Sequence, residues 1–155
     1  MVSFNEMLNV LLVSALPISE LRGGIPLALY YGFPPLQAYI ICVIANALPI
    51  PFILLFLDSI GRILERWRVT SRIYRYLIGR TERKRDIIDR YGYPGLSIFV
   101  AIPLPITGAW TGSLLAFLLG MDRMKSFAYI FVGIMVAGAI VTLTSFGVIS
   151  IVRIW

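Results

Sequence analysis

Long apolar stretches alternate with short polar or helix-breaking interruptions along this chain, and the interruptions define its organisation. Leu36 to Leu57 runs 22 residues without a charge and Ser126 to Val152 runs 27. A helix needs about 20 apolar residues to cross a bilayer core, so the pattern predicts two spanning helices. Two further apolar stretches, 7–31 and 93–121, are interrupted: by Pro17, Gly23, Gly24 and Pro26 in the first, and by Pro103, Pro105, Gly108 and Gly112 in the second. Backbone groups freed by such breaks are tolerated in hydrocarbon only when buried in protein or lining a polar cavity. Met7 to Ser19 holds 13 uncharged residues, too few for a span. A limb of about ten helical residues reaches about 15 Å, half the bilayer core. Each interrupted stretch is therefore expected to be a re-entrant hairpin, with its break near the midplane and the two breaks facing one another.

The interrupted stretches resemble each other. Offset by 88 positions, PISELRGGIPLALYYG (Pro17 to Gly32) lies over PITGAWTGSLLAFLLG (Pro105 to Gly120) with six of sixteen residues identical, including two glycines and the first proline. A long apolar span follows each copy, and transporter folds are often built from such halves. A hairpin that does not cross, followed by a helix that does, starts the second copy on the opposite side from the first. The expected fold is thus an all-α integral membrane protein of two inverted repeats, 5–60 and 93–152, joined by a connector at 61–92. Four complete spans form the alternative topology.

Charge sets the orientation. Hydrophobic residues make up 59% of the chain and charged residues 14%, which leaves too little polar surface for a soluble shell. Ten of the fourteen basic residues lie between Arg62 and Arg90, which the positive-inside tendency places in the cytoplasm. Ile60, Ile63, Leu64, Trp67, Tyr74, Leu77 and Ile78 recur there at helical spacing, as in an amphipathic helix lying on the inner membrane face. The expected partners of 62–90 are anionic lipid headgroups rather than nucleic acid. Thr81 to Tyr91 reads as a short salt-bridged connector. Met1 to Asn9 has no Lys or Arg, and no cleavage site follows, so the first apolar segment is expected to be retained. The expected location is multi-pass in the cell membrane with 61–92 cytoplasmic; a homo-oligomer is compatible with the sequence.

Glu20 and Arg22 are the only charges between Met7 and Leu57, and they sit at the first break. An acid or base at a membrane-helix centre costs roughly 2.5–3.5 kcal/mol, so such residues need partners and mark functional sites. A self-neutralising pair that locks the tip is the structural alternative. In the second break Thr107 and Thr111 can line one face, and Trp110 falls at the position of Arg22, where an indole either lies under the guanidinium or fills volume. Asn46, followed by Pro49 and Pro51, marks a kinked span and either lines a cavity or bonds across helices. Gly133, Gly138 and Gly147 indicate close helix packing. Cys42 lies in mid-span, so no internal disulfide is expected. With no histidine, no zinc spacing and no catalytic triad, neither enzyme activity nor a cofactor is expected, and proton coupling would need a carboxylate.

PISELRGGIPLAL near the start and PLPITGAWTGSLLAF in the second half resemble the small multi-drug export proteins, across nearly the whole chain. That family is similar, more distantly, to the DedA or VTT superfamily. The resemblance implies two opposed re-entrant hairpins and movement of lipids across membranes, in some members coupled to protons. It also implies a hairpin acid, matched by Glu20, and hairpin arginines, matched by Arg22 alone, since the second tip carries Trp110 instead. The expected function is a small transporter or lipid flippase, with Glu20 taking up a proton or cation and Arg22 engaging an anionic, phosphate-bearing amphiphile. An exporter of small amphipathic compounds and a non-transporting lipid-binding scaffold are the alternatives.

Overall fold

The structure is a computed structural model that describes residues 3–56, 91–103 and 107–152, the side chains of 149–152 excepted. Its regular elements are all helices: α1 (Phe4–Ala15), α2 (Glu20–Tyr30), α3 (Pro35–Ala47), α4 (49–56), α5 (91–101), α6 (Ala109–Leu118) and α7 (Arg123–Val152). The basic block 62–90, with its expected amphipathic helix and connector, lies outside the described residues.

Local chemistry sets the boundaries. Ser3 and Glu6 form a reciprocal capping box at the start of α1, with the Ser3 amide donating to Glu6 Oε2 at 2.7 Å. α1 stops because Leu16 precedes Pro17 and is held extended, at φ −71° and ψ 142°. After the turn at 16–19, α2 packs back against α1. α3 opens with Pro35 at its first position, where a missing amide hydrogen is harmless. A turn at Leu48, just before Pro49, separates α3 from α4 as the prolines indicated.

The first break falls earlier than the sequence indicated. Pro17 is in the turn, but Gly23, Gly24 and Pro26 lie inside α2, and Gly112 lies inside α6. Their role is close approach rather than interruption: a Cβ on Gly24 would stand 2.9 Å from Ser14 Cβ, and one on Gly112 would stand 2.7 Å from Val100 Cγ2. Pro26 does interrupt the ladder, since without an amide hydrogen it leaves the Arg22 carbonyl with no intrahelical donor. In the second half Pro103 follows α5 and Gly108 precedes α6, both outside regular helix, whereas Pro105 lies outside the described residues.

The 88-residue repeat reappears in the backbone hydrogen bonds. Tyr31 donates to Leu27, Gly32 to Leu29 and Phe33 to Ala28; Leu119 donates to Leu115, Gly120 to Phe117 and Met121 to Ala116. Gly32 and Gly120 both take left-handed backbone, at φ +86° and +63°, which glycine adopts without a Cβ clash. The next helices start alike, Ala38 donating to Pro34 and Ser126 to Asp122.

Pro35–Phe56 and Arg123–Val148 are long enough to cross a membrane, with mean hydropathies of 2.3 and 2.2. The core helix of a soluble protein would be mostly buried, yet only 39% and 33% of these stretches are. Leu36, Ile40, Ile44, Leu48, Phe52 and Phe56 recur every fourth residue on an exposed face. So wide an apolar face is a liability in water and is at ease in hydrocarbon. α7 packs against α2, α3 and α6. Gly133 lies on α5, where a Cβ would meet the Ser97 carbonyl at 2.8 Å, and Gly138 lies on Tyr39 and Val43 of α3. Gly147 faces open space, so the close-packing expectation holds for two of the three glycines. Cys42 is buried in the core.

Candidate functional site

The turn between α1 and α2 and the first turn of α2 meet the residues at the start of α6. Between them lies a cavity of about 260 Å³, its outer opening included, walled by the start of α2, the middle of α3, the end of α5, the start of α6 and the middle of α7. Glu20, Arg22 and Asn46 supply its polar side in the first half; Thr107 and Gly108 lie opposite.

Glu20 is 8% exposed and sits on left-handed backbone, at φ +46°, an uncommon conformation for a residue with a side chain. Its carboxylate reaches across to the start of α6 and accepts from the Trp110 amide at 3.4 Å. The first amides of a helix have no intrahelical acceptor and carry the positive end of its dipole, so an anion belongs there. Glu20 thus caps a helix of the other hairpin. Gly108 makes room for it, since a Cβ at that position would stand 2.6 Å from the Glu20 Cδ.

Trp110 and Arg22 tie the tips together from both sides. The Trp110 indole Nε1 donates to the Ala15 carbonyl at 3.1 Å, closing one of the open carbonyls at the end of α1. Ser19 Oγ closes another, donating to Val13 at 2.6 Å. The Arg22 guanidinium donates through Nη2 to the Thr107 carbonyl, and the Thr107 hydroxyl donates to the Ile102 carbonyl. Two of the alternatives are removed here. Arg22 and Trp110 form no cation–π pair, because each is claimed by an open carbonyl in the facing hairpin. Glu20 and Arg22 make no direct ion pair, because the Trp110 amide and the Thr107 carbonyl hold them instead.

Of the expected site residues, Glu20, Arg22, Asn46 and Thr107 line the cavity, Trp110 stands beside it, and Thr111 lies along α6 away from it. Asn46 is 1% exposed and bonds across to no helix; its Oδ1 has no partner. The cavity follows the repeat, because both members of the pairs Glu20 and Gly108, Leu21 and Ala109, and Asn46 and Ile134 line it, each pair 88 residues apart. Polarity does not follow the repeat, and every charged lining group belongs to the first half. Among the described residues no cluster of His, Cys, Asp and Glu has metal-binding geometry. Sequence reasoning missed the acceptor role of the Ala15 carbonyl and the seat that Gly108 provides. The coincidence of Glu20 with a glycine in the repeat was the available signal for the second.

These features define an all-helical membrane protein with a cavity among its helices that is lined by Glu20 and Arg22. The chain belongs to the small multi-drug export family: the family model described as "Putative small multi-drug export protein" matches residues 20–140. No curated protein and no solved structure matches it.

Proposed function

We propose that this protein is a transporter that exports small amphiphiles through the cavity between the hairpin tips, with Glu20 as the group that exchanges a proton or cation. The observation that carries this reading is a carboxylate 8% exposed, facing a cavity at the meeting point of both halves. A buried ionisable group among lipid-facing helices is costly and usually serves transport. The family description points the same way. α1 and α2 have 12 and 11 residues, lengths of about 18 and 16 Å against a bilayer core of about 30 Å. That supports re-entrant hairpins whose tips meet near the midplane, in inverted repeats with a cytoplasmic connector at 61–92 held to anionic headgroups. The test is efflux of an amphipathic fluorescent dye from proteoliposomes under an imposed pH gradient. Glu20→Gln should insert and fold yet lose the dependence on the gradient; a well-folded variant that keeps it removes Glu20 from coupling.

A second reading, an anionic phosphate-bearing lipid as cargo, is favoured by Arg22. Its guanidinium lines the same cavity and has donors beyond the one used on Thr107. Scrambling of a fluorescent phospholipid that falls sharply in Arg22→Lys, which keeps the charge and loses the planar fork, would support this cargo over the drug-like one.

A further inference from the structure

Asn46 brings to the cavity wall an acceptor that the protein leaves unused. It is 1% exposed, and its Oδ1 has no partner. An unpaired buried acceptor costs stability, and an apolar side chain would avoid that cost. Ile134, its counterpart 88 residues on, is such a side chain, equally buried and on the same wall. Ser126 Oγ is orphaned too, but it lies at the start of α7 and is not part of that wall.

Two opposite charges share the wall without touching. The Glu20 carboxylate accepts from the Trp110 amide and keeps lone pairs to spare, since a carboxylate offers about four acceptor sites. The Arg22 guanidinium gives one donor to the Thr107 carbonyl, which leaves N–H groups for a second acceptor, and it makes no ion pair with Glu20. The lining residues of α3, α5, α6 and α7 bring no further ionisable group. The space enclosed by Glu20, Arg22 and Asn46 has room for about one water-sized group. A cation there would face Arg22 as a like charge and an anion would face Glu20, so the occupant is neutral.

We infer that one water molecule bridges the three groups and carries the proton that Glu20 exchanges. It accepts from an Arg22 N–H and donates one hydrogen to the Glu20 carboxylate and the other to Asn46 Oδ1; about three bonds is the usual number for a buried water. The same water serves both protonation states. Once Glu20 carries a proton, the carboxyl donates to the water oxygen, and the water keeps its hydrogen on Asn46 Oδ1. A direct pair of Glu20 with Arg22 would lose its attraction at each protonation. In the transfer the water O–H bond to Glu20 breaks as the carboxyl O–H forms, and the water oxygen takes a replacement proton from a hydronium ion at the outer opening, which is left as water. Asn46 is a positioning residue, an acceptor at every pH where an acid would itself titrate. This inference rests on Glu20 as the proton-exchanging group and names the molecule that serves it.

Crystals of the full chain grown in lipid with rubidium chloride, diffracting well enough to show ordered waters, test the site. One density should lie within hydrogen-bond distance of Glu20, Arg22 and Asn46, without anomalous signal. An anomalous peak there would make it a cation site, and no density in a map that shows waters elsewhere would leave the three groups dry; either overturns the inference. Asn46→Leu should lose the density and draw Glu20 and Arg22 into a direct pair, whereas Asn46→Ser, which keeps an acceptor, should retain it. In proteoliposomes Asn46→Leu should slow gradient-driven dye efflux about tenfold or more, the worth of one hydrogen bond to a charged group. It should also raise the solvent deuterium isotope effect, which a purely structural change leaves alone. If leucine is too large for the fold, Asn46→Val makes the same test. Unchanged efflux and isotope effect in a folded variant that has lost the density would remove the water from proton exchange. The bridging water in a protein without gradient-driven efflux would keep the site and remove the transport reading; efflux with a dry cavity would do the reverse.

Discussion

Glu20 and Gly108 hold the same position in the two halves, 88 residues apart, and the carboxylate of the first occupies the space that a side chain on the second would need. A Cβ on Gly108 would lie 2.6 Å from Glu20 Cδ, although the backbone there, at φ 169° and ψ −175°, is extended and open to any residue. The glycine is required by its neighbour rather than by its own dihedral angles.

Gly108→Ala should therefore displace the carboxylate from the Trp110 amide and lower stability by about 1–3 kcal/mol, the usual cost of overpacking. Gly147→Ala is the control, since its Cβ would meet nothing within 4 Å. A helix-interior alanine there should leave stability unchanged or raise it by about 0.5–1 kcal/mol. Melting curves of the two purified proteins decide it, and equal Tm values would mean that Glu20 has another rotamer at no cost.

Trp110→Phe tests the opposite side of the junction. Phenylalanine keeps an aromatic ring and drops the Nε1 donor, leaving the Ala15 carbonyl open inside the hairpin. The expected loss is about 1 kcal/mol, within the range for a single buried hydrogen bond. An unchanged Tm would assign Trp110 to volume filling alone.

The resemblance between the two interrupted stretches was legible in the sequence because proline and glycine constrain the backbone directly, and their coincidence at 88 residues stands out among interchangeable apolar side chains. Gly32 and Gly120 demonstrate it, ending their helices with the same hydrogen bonds. The extent of the first break was misread because glycine serves two purposes in membrane helices. It ends them, and it lets them touch; Gly23 and Gly24 do the second, and only the position of Val13 and Ser14 on α1 distinguishes the cases. Glu20 and Asn46 stood out as polar residues in apolar surroundings. Which of them has a partner depends on contacts between segments about 90 residues apart, such as Glu20 with Trp110, and no local spacing encodes those.

Sidedness follows from the hairpin reading. With Cys42→Ala as background, a cysteine placed at Ser3 should react with an impermeant maleimide added outside intact cells, and one at Thr81 should react only after permeabilisation. Protection of the Ser3 site until the membrane is opened would instead favour four complete crossings and both ends inside.

The one-sided polarity of the cavity bears on whether the two halves are interchangeable. Glu20, Arg22 and Asn46 face Gly108, Trp110 and Ile134 at the matching positions. A protein assembled from two first halves would set two buried acids against each other with no glycine to seat either; one assembled from two second halves would enclose no charge at all. Neither half can stand in for its sibling: they meet as unlike partners, and the site needs one of each.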